Sequence, residues 1–529
     1  MKKFFLVILL AVSQLGVAQN KDISAATTQK LATTMYIIDN FYVDSVDMPM
    51  LTEEAIIAML KNLDPHSAYI AAKEVQKANE ELVGSFEGIG VTYQILRDTI
   101  VVVSAIAGGP SEKVGIMAGD KIVTIDGEEA YGKKVTNEYV AGHLRGEKGT
   151  KVQLGIKRGD NPELIEFEVV RDKIPLNSIN TYFMVEKKIG YIKLDKFSRN
   201  SMSEFGDAFK VLDKKGMKSL ILDLRGNSGG FMLTAFDLAN MFLDKGKLVV
   251  YTDGLKSEKA VYETSGSGKF RNGKLVVLID EGSASASEIV SGAIQDWDRG
   301  VLIGRRSFGK GLVQKPFNLP DGSQIRLTVA RYYTPTGRCI QRSYEEGVED
   351  YQNEMTKRLE HGEYYHSDSI HFNDSLKYYT LTTGRTVYGG GGIMPDIFMP
   401  ADSAYTTTIL VDLIRKTVFN NYCFDYVMTN RDQLLKEYPD FEKFNKKFEV
   451  SDEMLEDFKN VAISKNVDWN EEQYQQAKDF IRLRIKGIIA QDIWNVDKFY
   501  QVVMKDDPMI MKAVEIINND KEYKKILGK

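Results

Sequence analysis

The segment Gly282-Ser283-Ala284-Ser285-Ala286-Ser287-Glu288 stands between an apolar run, Leu275 to Ile279, and a helix-like stretch, Glu288 to Trp297. An apolar run bounded by turn residues reads as a buried strand. A serine at a strand-to-helix turn meets unpaired backbone N–H groups and the positive end of a helix dipole, a good setting for a nucleophile whose transition state is an oxyanion. Such a hydroxyl needs a base, and the usual one is histidine. The chain has 5 histidines, none of them between Gly190 and Val329, and Ser285 is flanked by Ser283 and Ser287 instead of the glycines of a nucleophile elbow. A Ser-His-Asp hydrolase is therefore disfavoured, and lysine is the remaining base. Phe308-Gly309-Lys310-Gly311-Leu312-Val313-Gln314 offers one. Burial beside Phe308, Leu312 and Val313 would lower the amine's pKa towards neutrality. Gln314 would share its side in an extended strand and hydrogen-bond to it. Ser285 and Lys310 are read as a dyad, with backbone N–H groups at Ala286 and the Gly229-Gly230 turn as oxyanion donors. Two plainer readings stay open on these residues alone. The serine run can cap a helix, and a lysine in a glycine turn can be merely solvated.

The elements that must position these groups alternate from Ile189 to Val329. Gly190 to Leu194 reads as a strand, Ser201 to Lys214 as a helix, Ser219 to Leu224 as a strand and Thr234 to Phe242 as a helix. That alternation argues an α/β layer with parallel pairing. Asp223-Leu224-Arg225-Gly226-Asn227-Ser228-Gly229-Gly230 falls at a strand's C-terminal end, where ligand sites of such sheets collect.

Upstream, the pattern from Gly84 is of short strands: Val91 to Ile95, Ile100 to Val103, Lys121 to Ile125, Val152 to Lys157 and Ile165 to Val170, with helical pieces at Ser111 to Val114 and Asn137 to Leu144. This order resembles a PDZ domain, and Gly88-Ile89-Gly90-Val91 matches that family's carboxylate-binding loop. Exposed N–H groups at glycines can cup a C-terminal carboxylate while the peptide adds a strand to the sheet edge. Before it, Thr27 to Lys61 and Glu53 to Leu63 carry helical spacing, ended by Leu63-Asp64-Pro65-His66-Ser67. After Tyr332-Tyr333-Thr334-Pro335 comes a polar, tyrosine-rich insertion, Ser343 to Arg385, and residues 401–529 read as helices, with capping-box spacing at Asn470 to Gln473.

The chain has 529 residues, more than one ordinary core, and a weak acidic balance, with 69 Lys+Arg against 74 Asp+Glu. It lacks the basic block that nucleic-acid binding needs. Lys2, Lys3, the apolar Phe4 to Val12 and the small Gly16 and Ala18 read as a signal peptide cut after Ala18, so export to the periplasm or cell envelope of a bacterium is expected. The 2 cysteines, Cys339 and Cys423, are read as buried free thiols in preference to a disulfide. Two cysteines argue against a cysteine-based zinc site. His361, His366 and His371, at five-residue spacing, do not share a helix face and are read as surface residues. No metal or cofactor is expected.

Gly282 to Glu288, Gln295-Asp296, Phe308 to Gln314 and Tyr332 to Pro335, together with Leu63 to Ser67, the Gly88 loop and Gly392 to Asp396, resemble the C-terminal processing peptidases (tail-specific proteases, serine peptidase family S41), in that family's order over roughly Asp39 to Pro400. The resemblance implies Ser285 as nucleophile, Lys310 as general base, Gln314 assisting it, and a structural or supporting role for Asp296. It implies an α/β multidomain protein: a crotonase/ClpP-like core with an inserted PDZ domain that binds substrate C-termini and gates the site. The expected division is 1–18 signal peptide, 19–83 helical region, 84–172 PDZ domain, 173–400 serine protease core and 401–529 helical domain. The expected activity is that of an endopeptidase working through an acyl-enzyme. Its expected partners are proteins or peptides with free apolar C-termini, a candidate adaptor protein and further copies of itself. The competing reading is a non-catalytic PDZ scaffold in the cell envelope.

Overall fold

The computed structural model describes residues 25–529 except 107, 160, 372, 403–406 and 505–506. The signal-peptide reading of 1–18 lies outside the described residues. The chain divides into two compact units, one of residues up to Val75 with Lys315–Leu327, the other of Gln76–Gln314 with Thr328–Lys529.

In the first unit the expected helical spacing from Thr27 is divided into a helix over 25–41 and another, Met48–Lys61. The second starts five residues earlier than Glu53 because Asp47 caps it, accepting Met50 N–H at 3.0 Å, with Pro49 in the first turn where its missing N–H costs nothing. Buried Asp64 closes the following turn by accepting His66 N–H, Ser67 N–H and the Ser67 hydroxyl at 2.8, 2.9 and 2.6 Å. Ala68–Ile70 then pairs antiparallel with Gln324, Ile325 and Arg326.

The second unit is organised by a six-stranded sheet in the order Ile179–Glu186, Ile189–Leu194, Ser219–Asp223, Lys274–Ile279, Val301–Gly304, Ile397–Phe398. The first pair is antiparallel and the rest parallel. Its inner strands carry uninterrupted apolar runs over 220–222, 275–279 and 301–303 because both faces are covered. Alternate side chains go to opposite sides. Leu275, Val277 and Ile279 pack with Ile192, Leu220 and Leu222 against the helices Ser201–Lys214, Met232–Asn240 and Ala286–Asp296. Val276 and Leu278 pack with Tyr191, Ile221 and Ile303 against Met509, Ile510, Ala513 and Val514.

That second layer differs from the expectation of one helical domain over 401–529. Thr408–Arg415 through Val496–Val503 share their own core, centred on Phe419, Phe444, Phe458 and Ile485. Pro508–Asn518 and Asp520–Ile526 leave it to complete the sheet sandwich. A two-sided sheet must be covered on both faces, and among the described residues the helices over 508–526 supply the apolar cover for the second. Asn470 caps its helix, accepting Gln473 N–H at 2.9 Å, but the Gln473 side chain accepts Ile409 N–H instead of closing the capping box. Cys339 and Cys423 are free thiols.

The insert follows the expected strand order: Val91–Leu96, Thr99–Ala105, Lys121–Ile125, Lys151–Lys157, Ile165–Val170. Its two ends are pinned by antiparallel pairing of Ser85–Gly88 with Asp172–Pro175, so the chain leaves and re-enters the core at one place. Val101 and Val103, on this sheet, pack against Phe424 of the helical core.

Ile510→Ala is expected to lower the stability of the sheet sandwich by about 2–5 kcal/mol, the range for deleting a buried aliphatic side chain. Chemical denaturation followed by tryptophan fluorescence measures it. An unchanged midpoint would show that the C-terminal helices do not contribute to the packing of the six-stranded sheet.

Candidate active site

The strand Lys274–Ile279 ends at Asp280, and a lattice of hydrogen bonds sets the next turn against the glycine loop that leaves the neighbouring strand. Asp280 Oδ1 accepts Gly226 N–H and Gly282 N–H at 2.8 and 3.0 Å. Ala284 N–H donates to Asn227 O at 3.0 Å. Asn227, fully buried, donates its side-chain amide to Leu194 O at 2.8 Å and accepts Gly229 N–H at 2.9 Å. Gly229 is held at φ +104°, where a Cβ would stand 2.9 Å from Ser285 Cβ and 3.0 Å from Ala286 N. Only glycine permits that approach, which brings the loop against the serine turn.

The three serines of the turn differ sharply in this setting. Ser283 Oγ donates to Leu224 O at 2.9 Å and Ser287 Oγ to Asn227 O at 2.8 Å, and both residues are fully buried. Their hydroxyls are committed to backbone carbonyls. Ser285 is half-buried and sits at φ +55°, ψ −111°, just before the helix Ala286–Asp296. A non-glycine residue in that region costs about 1–3 kcal/mol and persists only where the surroundings over-determine it.

Lys310 Nζ donates to Gln314 Oε1 at 2.9 Å, and both residues are half-buried. The pairing arises differently from the expected alternation along a strand. The strand begins at Leu312, so Lys310 belongs to the loop before it.

The serine turn and the lysine loop meet at a residue that the pattern reading left without a role. Glu288 is completely buried. One carboxylate oxygen accepts Ser285 N–H at 2.8 Å and Lys310 N–H at 2.9 Å. The other accepts the Ser307 hydroxyl at 2.5 Å and Gly309 N–H at 2.7 Å. Burial pushes this carboxyl up to about 7, against four hydrogen bonds that all favour the ionised form. The Ser285-x-x-Glu288 spacing is that of a capping box, which is the signal in the sequence that marks Glu288. Buried Tyr332 adds a second tie, its hydroxyl lying 2.5 Å from Lys310 O and 3.1 Å from Ser285 O.

Asp296 stands at the other end of the helix from Ser285. It pairs with Arg338 at 2.7 Å, both side chains fully buried, and accepts the N–H and hydroxyl of Thr336 at 3.0 and 2.8 Å. It anchors the turn after the strand Gln324–Tyr333 and is no part of the serine–lysine cluster. Gly88, Ile89, Gly90 and Val91 lie at the start of the insert's sheet. Ile89 O accepts Ser111 N–H and the Ser111 hydroxyl at 3.0 and 2.7 Å, and Gly90 O accepts Ile106 N–H at 2.9 Å. Gly90 turns at φ +74°, and a Cβ there would meet Ile174 Cδ1 at 2.9 Å, so this glycine serves packing as well as the turn.

Comparison with known proteins places these elements. The family model described as peptidase family S41 matches residues 188–350, a PDZ domain model matches 88–169, and a family of unknown function matches 409–495. The carboxy-terminal processing protease CtpA of Bacillus subtilis is 36% identical over 353 residues, covering 64% of this chain and 75% of that protein. The carboxy-terminal-processing protease of Bartonella bacilliformis is 39% identical over 305 residues, covering 57% of this chain and 69% of that protein. Among solved structures, a photosystem II D1 C-terminal processing protease is 30% identical over 59% of this chain and 89% of its own, with a TM-score of 0.35.

The buried carboxyl carries a pH signature. Its pKa is raised from 4.5 to about 7, so between those values the folded state holds a proton that the unfolded state has lost, and stability falls as pH rises through the window. At about 1.4 kcal/mol per unit, the stability of the wild type relative to Glu288→Gln is expected to drop by roughly 3 kcal/mol between pH 4.5 and 7. Urea midpoints across that range test this. A difference independent of pH would mean that the four donors hold Glu288 ionised throughout.

Proposed function

The chain belongs to peptidase family S41 as a serine-type carboxy-terminal processing protease with a PDZ domain, and from that premise we propose an exported endopeptidase that captures free, apolar protein C-termini and cleaves through a Ser285–Lys310 dyad. The observation that carries the assignment of the nucleophile is the contrast among the three serines. Ser283 and Ser287 are buried on backbone carbonyls, while Ser285 is accessible, strained and tied through Glu288 to the lysine loop.

In this mechanism the Ser285 hydroxyl attacks the scissile carbonyl carbon and passes its proton to the neutral Lys310 amine, which Gln314 Oε1 orients at 2.9 Å. The oxyanion is received by the N–H of Ala286, whose place in the helix's first turn leaves it without an intrahelical partner, and by the N–H of Gly230. Gly229 shapes this hole by its close approach to Ser285. Its own N–H is donated to Asn227 Oδ1, so it is not one of the two donors. Lys310 then protonates the leaving amine, leaving an ester on Ser285. Water, deprotonated by Lys310, hydrolyses that ester. Asp296 acts at a distance, by holding the Thr336–Arg338 turn.

Substrate tails would bind at the Gly88–Val91 loop and extend along Val91–Leu96 beside the helix Asn137–Leu144. The proposed division is a helical region over 19–83, a PDZ domain over 84–172 and a crotonase/ClpP-like core over 173–400, to which the sheet-covering helices over 508–527 are added. Exposed Leu31, Ile37, Phe41 and Met50 in the first unit support self-association.

Ser285→Ala and Lys310→Ala are each expected to lower turnover of a protein with an unstructured apolar tail by at least a thousandfold, with tail binding retained. Gln314→Ala should cost about ten- to a hundredfold. The wild-type rate should rise with pH through neutrality, as lysine loses its proton. A tail peptide ending in a carboxylate should bind more tightly than its amide. Wild-type turnover by the Ser285 or Lys310 variant would sink the dyad. Tail binding without turnover by the wild type would leave the scaffold reading standing.

A further inference from the structure

The insertion between Ser343 and Arg385 contains a helix, Val348–Glu360, polar along most of its length but burying Tyr351 and Arg358. Arg358 is 2% exposed. A buried guanidinium demands partners, and this one finds them on backbone carbonyls. It donates to Ser307 O at 2.9 Å, and its second terminal nitrogen lies 3.5 Å from Phe308 O and 3.4 Å from Gly391 O. Glu354 neutralises it from one turn earlier, at 2.7 Å. The same carboxylate meets Arg342 at 2.7 Å, and the Arg342 guanidinium stacks between the rings of Phe308 and Tyr351, at 4.1 and 3.8 Å from their centres.

Two of the three carbonyls that Arg358 meets belong to Ser307 and Phe308, the two residues preceding the Gly309–Lys310 pair. Ser307 and Phe308 present their carbonyls to the insertion helix. On the other side, the Ser307 hydroxyl and the N–H groups of Gly309 and Lys310 point at the single carboxylate of Glu288. The lysine loop is thus gripped from both sides: by a buried carboxyl group on its donors and by a buried cation on its acceptors.

We propose that Arg358 is a positioning residue for the proteolytic step, holding the lysine loop in register with Ser285 through the carbonyls of Ser307 and Phe308. The inference rests on the Ser285–Lys310 reading. It gives the insertion a task in catalysis: a brace on the base, supplied by a segment outside the strands and helices that carry the dyad. The guanidinium's planar fork is the reason for arginine here, because one ammonium cannot span carbonyls of separate segments.

The test uses full-length Arg358→Met and Arg358→Lys beside the wild type and Ser285→Ala. Hydrogen exchange read by mass spectrometry over 306–314 should be at least tenfold faster in Arg358→Met, with the PDZ strands over 91–105 unchanged. Turnover of the tailed protein should show kcat lowered ten- to a hundredfold and KM within threefold. Arg358→Lys should fall between wild type and Arg358→Met on both readouts, and it carries the test alone if Arg358→Met does not fold. Unchanged exchange over 306–314, or a loss of rate confined to KM, overturns the proposal. Faster exchange with no turnover by the wild type itself would uphold the brace and overturn the proteolytic reading.

Discussion

The buried carboxylate of Glu288 is the constraint on which the arrangement depends. Ser285 and Lys310 lie 25 positions apart on different loops, which meet through a backbone hydrogen bond from Phe308 N–H to Ser283 O at 3.0 Å and through Glu288. A fully buried carboxyl group needs hydrogen-bond partners, and here four donors are drawn from those two loops. Because each carboxylate oxygen has two lone-pair directions to fill, one group fixes the serine turn, the lysine turn and Ser307 relative to one another. The Tyr332 hydroxyl repeats the tie on the carbonyl side.

The layers around this centre explain why it is rigid. The serine turn grows from the end of a strand buried on both faces, and the glycine loop from the end of its parallel neighbour. Parallel strands place both loops at one edge of the sheet, and Asn227 and Asp280 lock them together with backbone hydrogen bonds. The strain at Ser285 is sustained by that lattice. The C-terminal helices over 508–527 cover the opposite face of the same sheet, so the far end of the chain supports the strands from which the Ser285 turn projects.

Arg338 and Arg358 extend one device outward. Each is a buried arginine whose partners are carboxylates and backbone carbonyls, and each fastens a loop next to the site: Arg338 with Asp296 and Tyr388 O, Arg358 with Glu354 and the Ser307 and Phe308 carbonyls. Arginine suits this work because its planar donors reach several acceptors at once. Such ion pairs add little net stability for the desolvation they require, and their value lies in specifying one geometry.

The sequence by itself determined the local parts. Alternation of apolar runs with helical spacing marked the strands and helices of the core, because a two-sided strand must be apolar along its length. The strand order and glycines of the insert marked a PDZ-like domain. The absence of histidine between Gly190 and Val329 pointed to lysine, and the resemblance to a peptidase family selected Ser285 from three neighbouring serines. Tertiary structure decided what depends on distant residues meeting. It gives the physical difference of Ser285 from Ser283 and Ser287, whose hydroxyls are spent on carbonyls 59 and 60 positions away. It assigns Glu288, which in sequence is one more acid at a helix start. It moves the last helices from a separate domain onto the core sheet, and it gives Arg358 partners up to 51 residues away. Spacing along a chain reports which face a residue occupies, but which groups share a buried charge is settled only when the faces close on one another.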